Sequence, residues 1–162
     1  MIQFSDSHIH LFRSGFHGNL QENVEVGRYE EFRQLYGIGP ALVVGYEGQE
    51  RFVGNNDYLD ELSQTREWLH PLRYVGGKTP PVTEWRSSFR GYALYLDDWP
   101  FGSDTARSLS ELAQHSSGMT PLVSVNGSME MIAAAHSSLM GFIGARILVS
   151  HLGLPGKKVE SI

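Results

Sequence analysis

Two histidines near the amino terminus stand two residues apart, in the run Asp6-Ser7-His8-Ile9-His10. In an extended chain such side chains point to the same side, so His8 and His10 are expected to project together while Ile9 faces the other way. Two imidazoles placed in this way can bind one divalent ion such as zinc if other elements supply further ligands. The pair alone is weak evidence for a metal site, because pairs of this spacing are more often ordinary polar residues on exposed strands.

A third histidine, His151, follows an apolar run at residues 147–150 and precedes a loop that contains Gly153 and Pro155. We interpret this run as a strand with His151 at its carboxyl end. In parallel α/β folds, ligands bind at the carboxyl ends of the strands. Because His8 and His10 also follow an apolar run, the sequence predicts that three imidazoles share one rim and form one site.

Six short apolar runs predict the strands that carry these residues. Most of the runs are apolar at successive positions, which is typical of strands covered on both faces. Helical patterns lie between them, and this alternation predicts parallel strands with helices outside, in either a doubly wound sheet or a (β/α) barrel. The predicted strands lie at residues 2–5, 41–46, 72–75, 92–96, 122–125 and 147–150.

The predicted helices have recognisable ends. Gly37 is expected to end the first helix, Asp57 to cap the second, and Ser103 or Asp104 to cap the third. Ser128 is expected to cap the fourth helix. The residues predicted to face inward on that helix are Met129, Ile132, Ala133, His136 and Met140.

Composition excludes several classes of protein. The chain has 162 residues, 41% of them hydrophobic, no cysteine and a formal net charge of −5. Disulfide scaffolds and thiolate metal sites are therefore excluded, and neither nucleic acid nor an anionic membrane is expected as a partner. Residues 1–6 lack the basic and apolar segments of a signal peptide, and no apolar run could span a bilayer, so we expect a cytoplasmic globular protein.

Residues 6–11, together with the run Ser150-His151-Leu152-Gly153, resemble the amidohydrolase-2 branch of the amidohydrolase superfamily. Members of this branch are TIM-barrel metal-dependent hydrolases that include lactonases and some decarboxylases. The resemblance follows the strand order through the whole chain. It implies an α/β fold of TIM-barrel type, in which residues 1–162 form one partial barrel domain with about six of the eight strands.

The resemblance also implies roles for the three histidines. His8, His10 and His151 would be the ligands of a divalent metal, zinc or alternatively manganese, and His151 would also be catalytic. Many members place a further histidine ligand at the end of the fifth strand, where this sequence has Asn126. Lactonase-like members often lack that histidine, and some of them are thought to work without metal.

A second departure from the family concerns the general base. The family supplies an aspartate from its eighth strand, whereas this chain ends at Ile162 after the sixth predicted strand. We therefore expect little turnover from the chain alone. The sequence is expected to be a truncated or gapped form, or a natural short form that pairs its open sheet edge in a homodimer.

The predicted function is hydrolysis of an ester, lactone or amide bond in a small carboxylated molecule. Arg13 and His17, in the glycine-containing loop after the first strand, are candidate contacts to this substrate, although a solvated loop is an equal alternative. Asn126 is the third candidate contact. Two other functions stay open: a metal-free lactonase of the same branch, and a non-catalytic binding or assembly protein that keeps the rim histidines in a degenerate barrel site.

Overall fold

The computed structural model describes residues 4–76, 88–96, 103–115 and 119–150. The chain divides into two compact units. The first comprises Met1–Tyr74 and Arg86–Arg90, and the second comprises Val75–Trp85 and Gly91–Ile162. Strands and helices alternate in both units, as the order of apolar runs and helical patterns in the sequence predicts.

The first unit contains three parallel strands and the helices that connect them. β1 pairs with β2 and β2 pairs with β3, so the strands follow one another in sequence order. The elements are β1 (Phe4–Ile9), α1 (Val24–Tyr36), β2 (Ile38–Val44), a short 3-10 helix (Glu50–Phe52), α2 (Asn55–Ser63) and β3 (Leu69–Val75).

The core of this unit lies between the strands and the two α-helices. Val43 in β2, Val26 in α1 and Leu59 in α2 are fully buried in one cluster. Each such side chain contributes about 1.5–3 kcal/mol through removal from water. Ile9 packs against the same cluster, which places the helix-facing side of β1 opposite the histidines that flank Ile9 in the chain.

The second unit repeats the arrangement with three further parallel strands. β4 pairs with β5, and β5 pairs with β6. The elements are β4 (Gly91–Tyr95), α3 (Ser103–His115), β5 (Leu122–Asn126), α4 (Met129–Leu139) and β6 (Arg146–Val149). Its core combines buried residues of the first two of these strands, such as Leu94 and Val123, with Leu109 of α3 and Leu139 of α4.

Gly91 sets the spacing between β4 and β5. It pairs with Leu122, and a Cβ built on Gly91 would overlap the backbone of that residue. A strand backbone cannot yield as a flexible side chain can, so any larger residue here would force the two strands apart.

The parallel βα units confirm the predicted fold class, α/β of TIM-barrel type, with six strands in the described ranges against the eight of a full barrel. β6 differs from the buried strands because all four of its residues are exposed. Pairing of this strand with a second copy of the chain stays a prediction. Within the described ranges, no helix is both long enough and apolar enough to cross a membrane.

Two of the predicted helix ends are confirmed, and one is wrong. Gly37 ends α1 in a left-handed conformation with φ of 65°, and Ser128 caps α4 by accepting a hydrogen bond from the Met131 backbone at 3.3 Å. The second helix was predicted to be capped by Asp57, but Gly54 occupies the N-cap position of α2 with φ of 86°. A glycine adopts this backbone conformation without steric strain.

The inward face predicted for α4 is wrong at four of its five positions, whereas Ile132 packs against the core. Met129, His136 and Met140 are exposed, whereas Ala135 and Leu139 are buried. Six of the seven residues at 129–135 are apolar, so their spacing does not define a single stripe. Packing against the rest of the second unit selects the buried side.

Candidate active site

The two amino-terminal histidines lie side by side at the carboxyl end of β1. Their ring centroids are 5.1 Å apart, and the rings are nearly perpendicular at 87°. The strand was predicted to end at residue 5, but it continues to Ile9, so His8 lies within β1 and His10 directly after it. The extended backbone between them is what brings both imidazoles to one side.

His10 is held in a defined tautomer by the neighbouring strand. Its Nδ1 atom lies 3.1 Å from the carbonyl oxygen of Val44, the last residue of β2. Because a carbonyl oxygen only accepts, Nδ1 carries the proton of this hydrogen bond. In the neutral ring Nε2 then keeps its lone pair. A histidine that binds a metal through Nε2 needs this state, with the other ring nitrogen donating to a carbonyl or carboxylate.

The His8 ring lies beside that of His10. Its Nε2 atom is buried, although the residue as a whole is partly exposed. Two imidazoles are fewer ligands than zinc takes from a protein, which are three or four. No group of three or more histidine, aspartate or glutamate side chains suited to a metal is found within the described ranges. His151, the predicted third ligand, lies outside those residues.

Aromatic rings of the first unit lie beside His10. The Phe12 ring stacks 6.0 Å from His10, and the Phe52 ring stacks 4.0 Å from Phe12. Tyr46 lies 6.0 Å from His10, and Tyr74 lies 5.3 Å from Tyr46. These rings give the histidines a weakly polar surround, in which electrostatic interactions are stronger than in water.

A hydrogen-bonded network at the ends of β2 and β3 holds the beginning of α2. The Asn56 side chain accepts a hydrogen bond from the Tyr74 backbone N–H at 2.8 Å and donates one to its carbonyl at 3.2 Å. Glu47 accepts a hydrogen bond from the Asn56 backbone N–H at 2.9 Å. A Cβ on Gly45 would overlap the Asn56 amide oxygen, so the close approach requires glycine.

Arg13 lies beside two carboxylates. Its guanidinium contacts Glu22 at 2.5 Å and Glu61 at 2.9 Å, and rests 4.8 Å over the Tyr58 ring. The hydrogen bond to Glu61 is the main cause that raises the pKa of Arg13. The positive charge predicted to meet a substrate is therefore already balanced by the protein's own carboxylates. His17 is exposed, with its ring 5.2 Å from that of Phe16.

The candidate residues of the second unit stand at the carboxyl ends of its strands. Asn126 is the last residue of β5 and is half-buried. The hydroxyl groups of Ser124 and Ser150 lie 2.9 Å apart, which ties the end of β6 to β5. Ser150 directly precedes His151 in the chain.

Comparison with known proteins supports the fold. Neither a family model nor a curated protein sequence matches the chain. A crystal structure of an amidohydrolase from Burkholderia multivorans with bound zinc is similar to 95% of the chain, with a TM-score of 0.66 and 16% sequence identity. The chain spans 59% of the length of that protein. At this identity the similarity shows a shared fold.

Sequence reasoning missed three residues of the first unit. Tyr46 borders His10, and Arg51 and Asn55 line a cavity beside α2 together with Phe12. The signal that could have found Asn55 is the pair Asn55-Asn56 after Gly54, since amides are common at helix starts. No pattern in the sequence marks Arg51 or Tyr46.

Proposed function

We propose that this chain is a metal-dependent hydrolase that acts on an ester, lactone or amide bond of a small carboxylated molecule. The observation that carries this proposal is the bond from His10 Nδ1 to the Val44 carbonyl, beside the ring of His8. The shared fold with a zinc-containing amidohydrolase supports it. Zinc is the proposed ion, with manganese as the alternative.

The donor set fits a divalent ion of this kind. Imidazole nitrogens suit zinc, and the Val44 carbonyl keeps the Nε2 lone pair of His10 ready for a bond to the metal. In the proposed site His8, His10 and His151 hold the ion. When bound, such an ion would polarise the carbonyl of the substrate and lower the pKa of a water molecule attached to it.

The chain's own residues prepare and shield this position. The Val44 carbonyl orients the His10 ring, so no reorientation is needed when a ligand binds. The rings of Phe12 and Tyr46 lie 6.0 Å from His10 and displace part of the water around it. Exclusion of water strengthens the interaction between a polar group and charge that develops on the substrate.

The general base implied by the family resemblance is an aspartate on an eighth strand. The six described strands do not include that strand. Metal binding depends on the histidines and not on that aspartate, so it is the better primary readout of the proposal.

The test measures zinc and manganese in the purified full chain by elemental analysis and by titration. We expect about one ion per chain, and His10→Asn should lower the affinity by at least tenfold because it removes one of the nitrogen ligands. His136→Asn is the matched control, because His136 is exposed on α4. Nitrogen NMR of the metal-free chain should show a proton on Nδ1 of His10.

Other outcomes would contradict the metal-dependent proposal. Lactone hydrolysis that needs no metal and survives chelation would indicate the metal-free lactonase instead. A chain that binds neither ion and hydrolyses no ester, lactone or amide would indicate a binding or assembly protein.

A further inference from the structure

A small cavity opens beside the beginning of α2, between the loops that follow β1 and β2. Its volume is about 170 Å³, and the residues that line it include Phe12, Arg13, Arg51, Gly54 and Asn55. Since one water molecule takes about 30 Å³ in the liquid, the cavity has room for roughly five. A small polar group of a ligand would fit.

Asn55 lines this cavity with a side chain whose hydrogen-bonding capacity is not met. The residue is 4% exposed, and its Nδ2 atom is buried without a hydrogen-bond partner in the described part of the chain. Folded proteins satisfy most buried polar groups, because an unsatisfied one costs about 1–3 kcal/mol. A buried amide donor without a partner, in a residue that lines a cavity, points to a ligand oxygen that reaches it after a small movement of the cavity wall.

The start of α2 brings backbone N–H groups to the same place, and Asp57 in its first turn offsets part of the helix's positive potential. The helix spans nine residues, and Gly54 at its N-cap provides no side-chain cap. The N–H groups of a helix's first turn lack partners within the helix and favour negative charge. One of them, that of Asn56, is bonded to Glu47.

Arg51 provides a full positive charge at this cavity. Its guanidinium rests 4.8 Å over the Phe16 ring and 4.5 Å over the Phe52 ring, while its Nε atom donates to Gln49 at 3.0 Å. Unlike Arg13, Arg51 forms no ion pair with a carboxylate within the described ranges. The aromatic rings orient the guanidinium, and its charge is not balanced as that of Arg13 is.

We propose that this cavity is the subsite for the carboxylate of the substrate, with Asn55 and Arg51 as its recognition residues. The inference rests on the proposed function, which it makes more specific. Phe12 connects the two places, since it lines the cavity and its ring stacks 6.0 Å from that of His10. The substrate would therefore place its carboxylate in the cavity and its reactive bond near His10, with the Phe12 ring between the two.

The experiment titrates succinate, and separately its neutral diamide, into the nitrogen-labelled full chain at constant ionic strength. Succinate should cause saturable NMR shifts at the Asn55 side-chain amide and the Gly54 backbone amide, and the diamide should not. Arg51→Gln should weaken succinate binding at least tenfold, because it removes a charged partner. Arg28→Gln removes a charge from an exposed position on α1 and should leave binding unchanged.

A second variant separates ligand recognition from structural support. Asn55→Ala should leave the stability of the ligand-free chain unchanged or raised, because it removes a buried donor that lacks a partner. The increase in melting temperature that succinate causes should be lost in the same variant. A large loss of stability without ligand would instead show that Asn55 supports the fold, and would overturn the proposal.

The subsite can fail independently of the proposed metal chemistry. His10→Asn should keep succinate binding while it weakens metal binding, so a chain without metal still tests the subsite. Equal shifts with succinate and the diamide, or unchanged succinate affinity in Arg51→Gln, would overturn the carboxylate subsite and leave the hydrolase proposal standing.

Discussion

Replacing Asn56 with alanine is expected to destabilise the first unit where β2, β3 and α2 meet. The substitution removes both hydrogen bonds between the Asn56 side chain and the Tyr74 backbone, at 2.8 and 3.2 Å. Asn56 is 7% exposed and Tyr74 is 1% exposed, so water does not readily replace the lost partners.

The magnitude follows from the two backbone groups that lose the amide. Each buried polar group left unsatisfied costs about 1–3 kcal/mol, so the loss of two partners in Asn56→Ala should lower the free energy of unfolding by about 2–6 kcal/mol. That is a large share of the total stability of an ordinary domain, about 5–15 kcal/mol. Asn19→Ala, at an exposed loop position, should change it by less than about 0.5 kcal/mol.

Gly45 offers a second way to disturb the same contact. A Cβ in Gly45→Ala would overlap the Asn56 amide oxygen and displace the side chain from Tyr74. Both substitutions thus remove the same hydrogen bonds. In the double variant the combined loss should be smaller than the sum of the single losses by about 2 kcal/mol.

The assay is urea denaturation followed by circular dichroism. It compares the unchanged chain, Asn56→Ala, Gly45→Ala and the double variant, with Asn19→Ala as the control. Amide hydrogen exchange at Tyr74 gives a local measure. Exchange at Tyr74 should accelerate in Asn56→Ala and in Gly45→Ala. The reasoning is refuted if Asn56→Ala is as stable as Asn19→Ala, or if the losses in the double variant add fully.

Three further predictions concern single positions. Tyr29→Phe removes a 3.2 Å hydrogen bond to Asp6 and should cost about 1 kcal/mol in urea denaturation. Because burial raises the pKa of Tyr29 to about 12, an ultraviolet titration should show one late-ionising tyrosine fewer in this variant. Burial lowers the pKa of His70, so protonation of the unfolded chain should reduce stability as the pH falls below 6.5, and His70→Gln should flatten that slope between pH 5 and 7. If stability depends on pH with the same slope in His70→Gln as in the unchanged chain, this role of His70 is contradicted. Gly91→Ala should cost about 2–3 kcal/mol by thermal denaturation because its Cβ meets the Leu122 backbone, and a near-neutral result would show that the strands can separate there.

The order and type of the elements could be read from the sequence because they depend on neighbours along the chain. Successive apolar residues predicted the strands that are buried on both faces, and the strands found overlap every predicted run. Ser128 predicted the start of α4 because its hydroxyl needs only a backbone N–H three residues ahead. The buried side of α4 was mispredicted because almost every early residue of that helix is apolar.

The histidine pair was accessible to sequence reasoning for the same local reason. A period of two in an extended chain places the rings of His8 and His10 on one side. The tautomer of His10 could not be predicted from the sequence, since it depends on the Val44 carbonyl, 34 residues away in the chain. The ion pair of Arg13 could not be predicted either, because the Glu61 carboxylate that it contacts lies 48 residues later in the chain.

By itself, the sequence determined the succession of βα elements, the exclusion of cysteine chemistry and the common side of His8 and His10, all of which follow from local geometry or composition. Only the tertiary structure decided which nitrogen of His10 carries the proton, which arginine is balanced by carboxylates and where a buried amide lacks a partner. Those properties depend on the distances between groups that the fold brings together, and no local pattern encodes them.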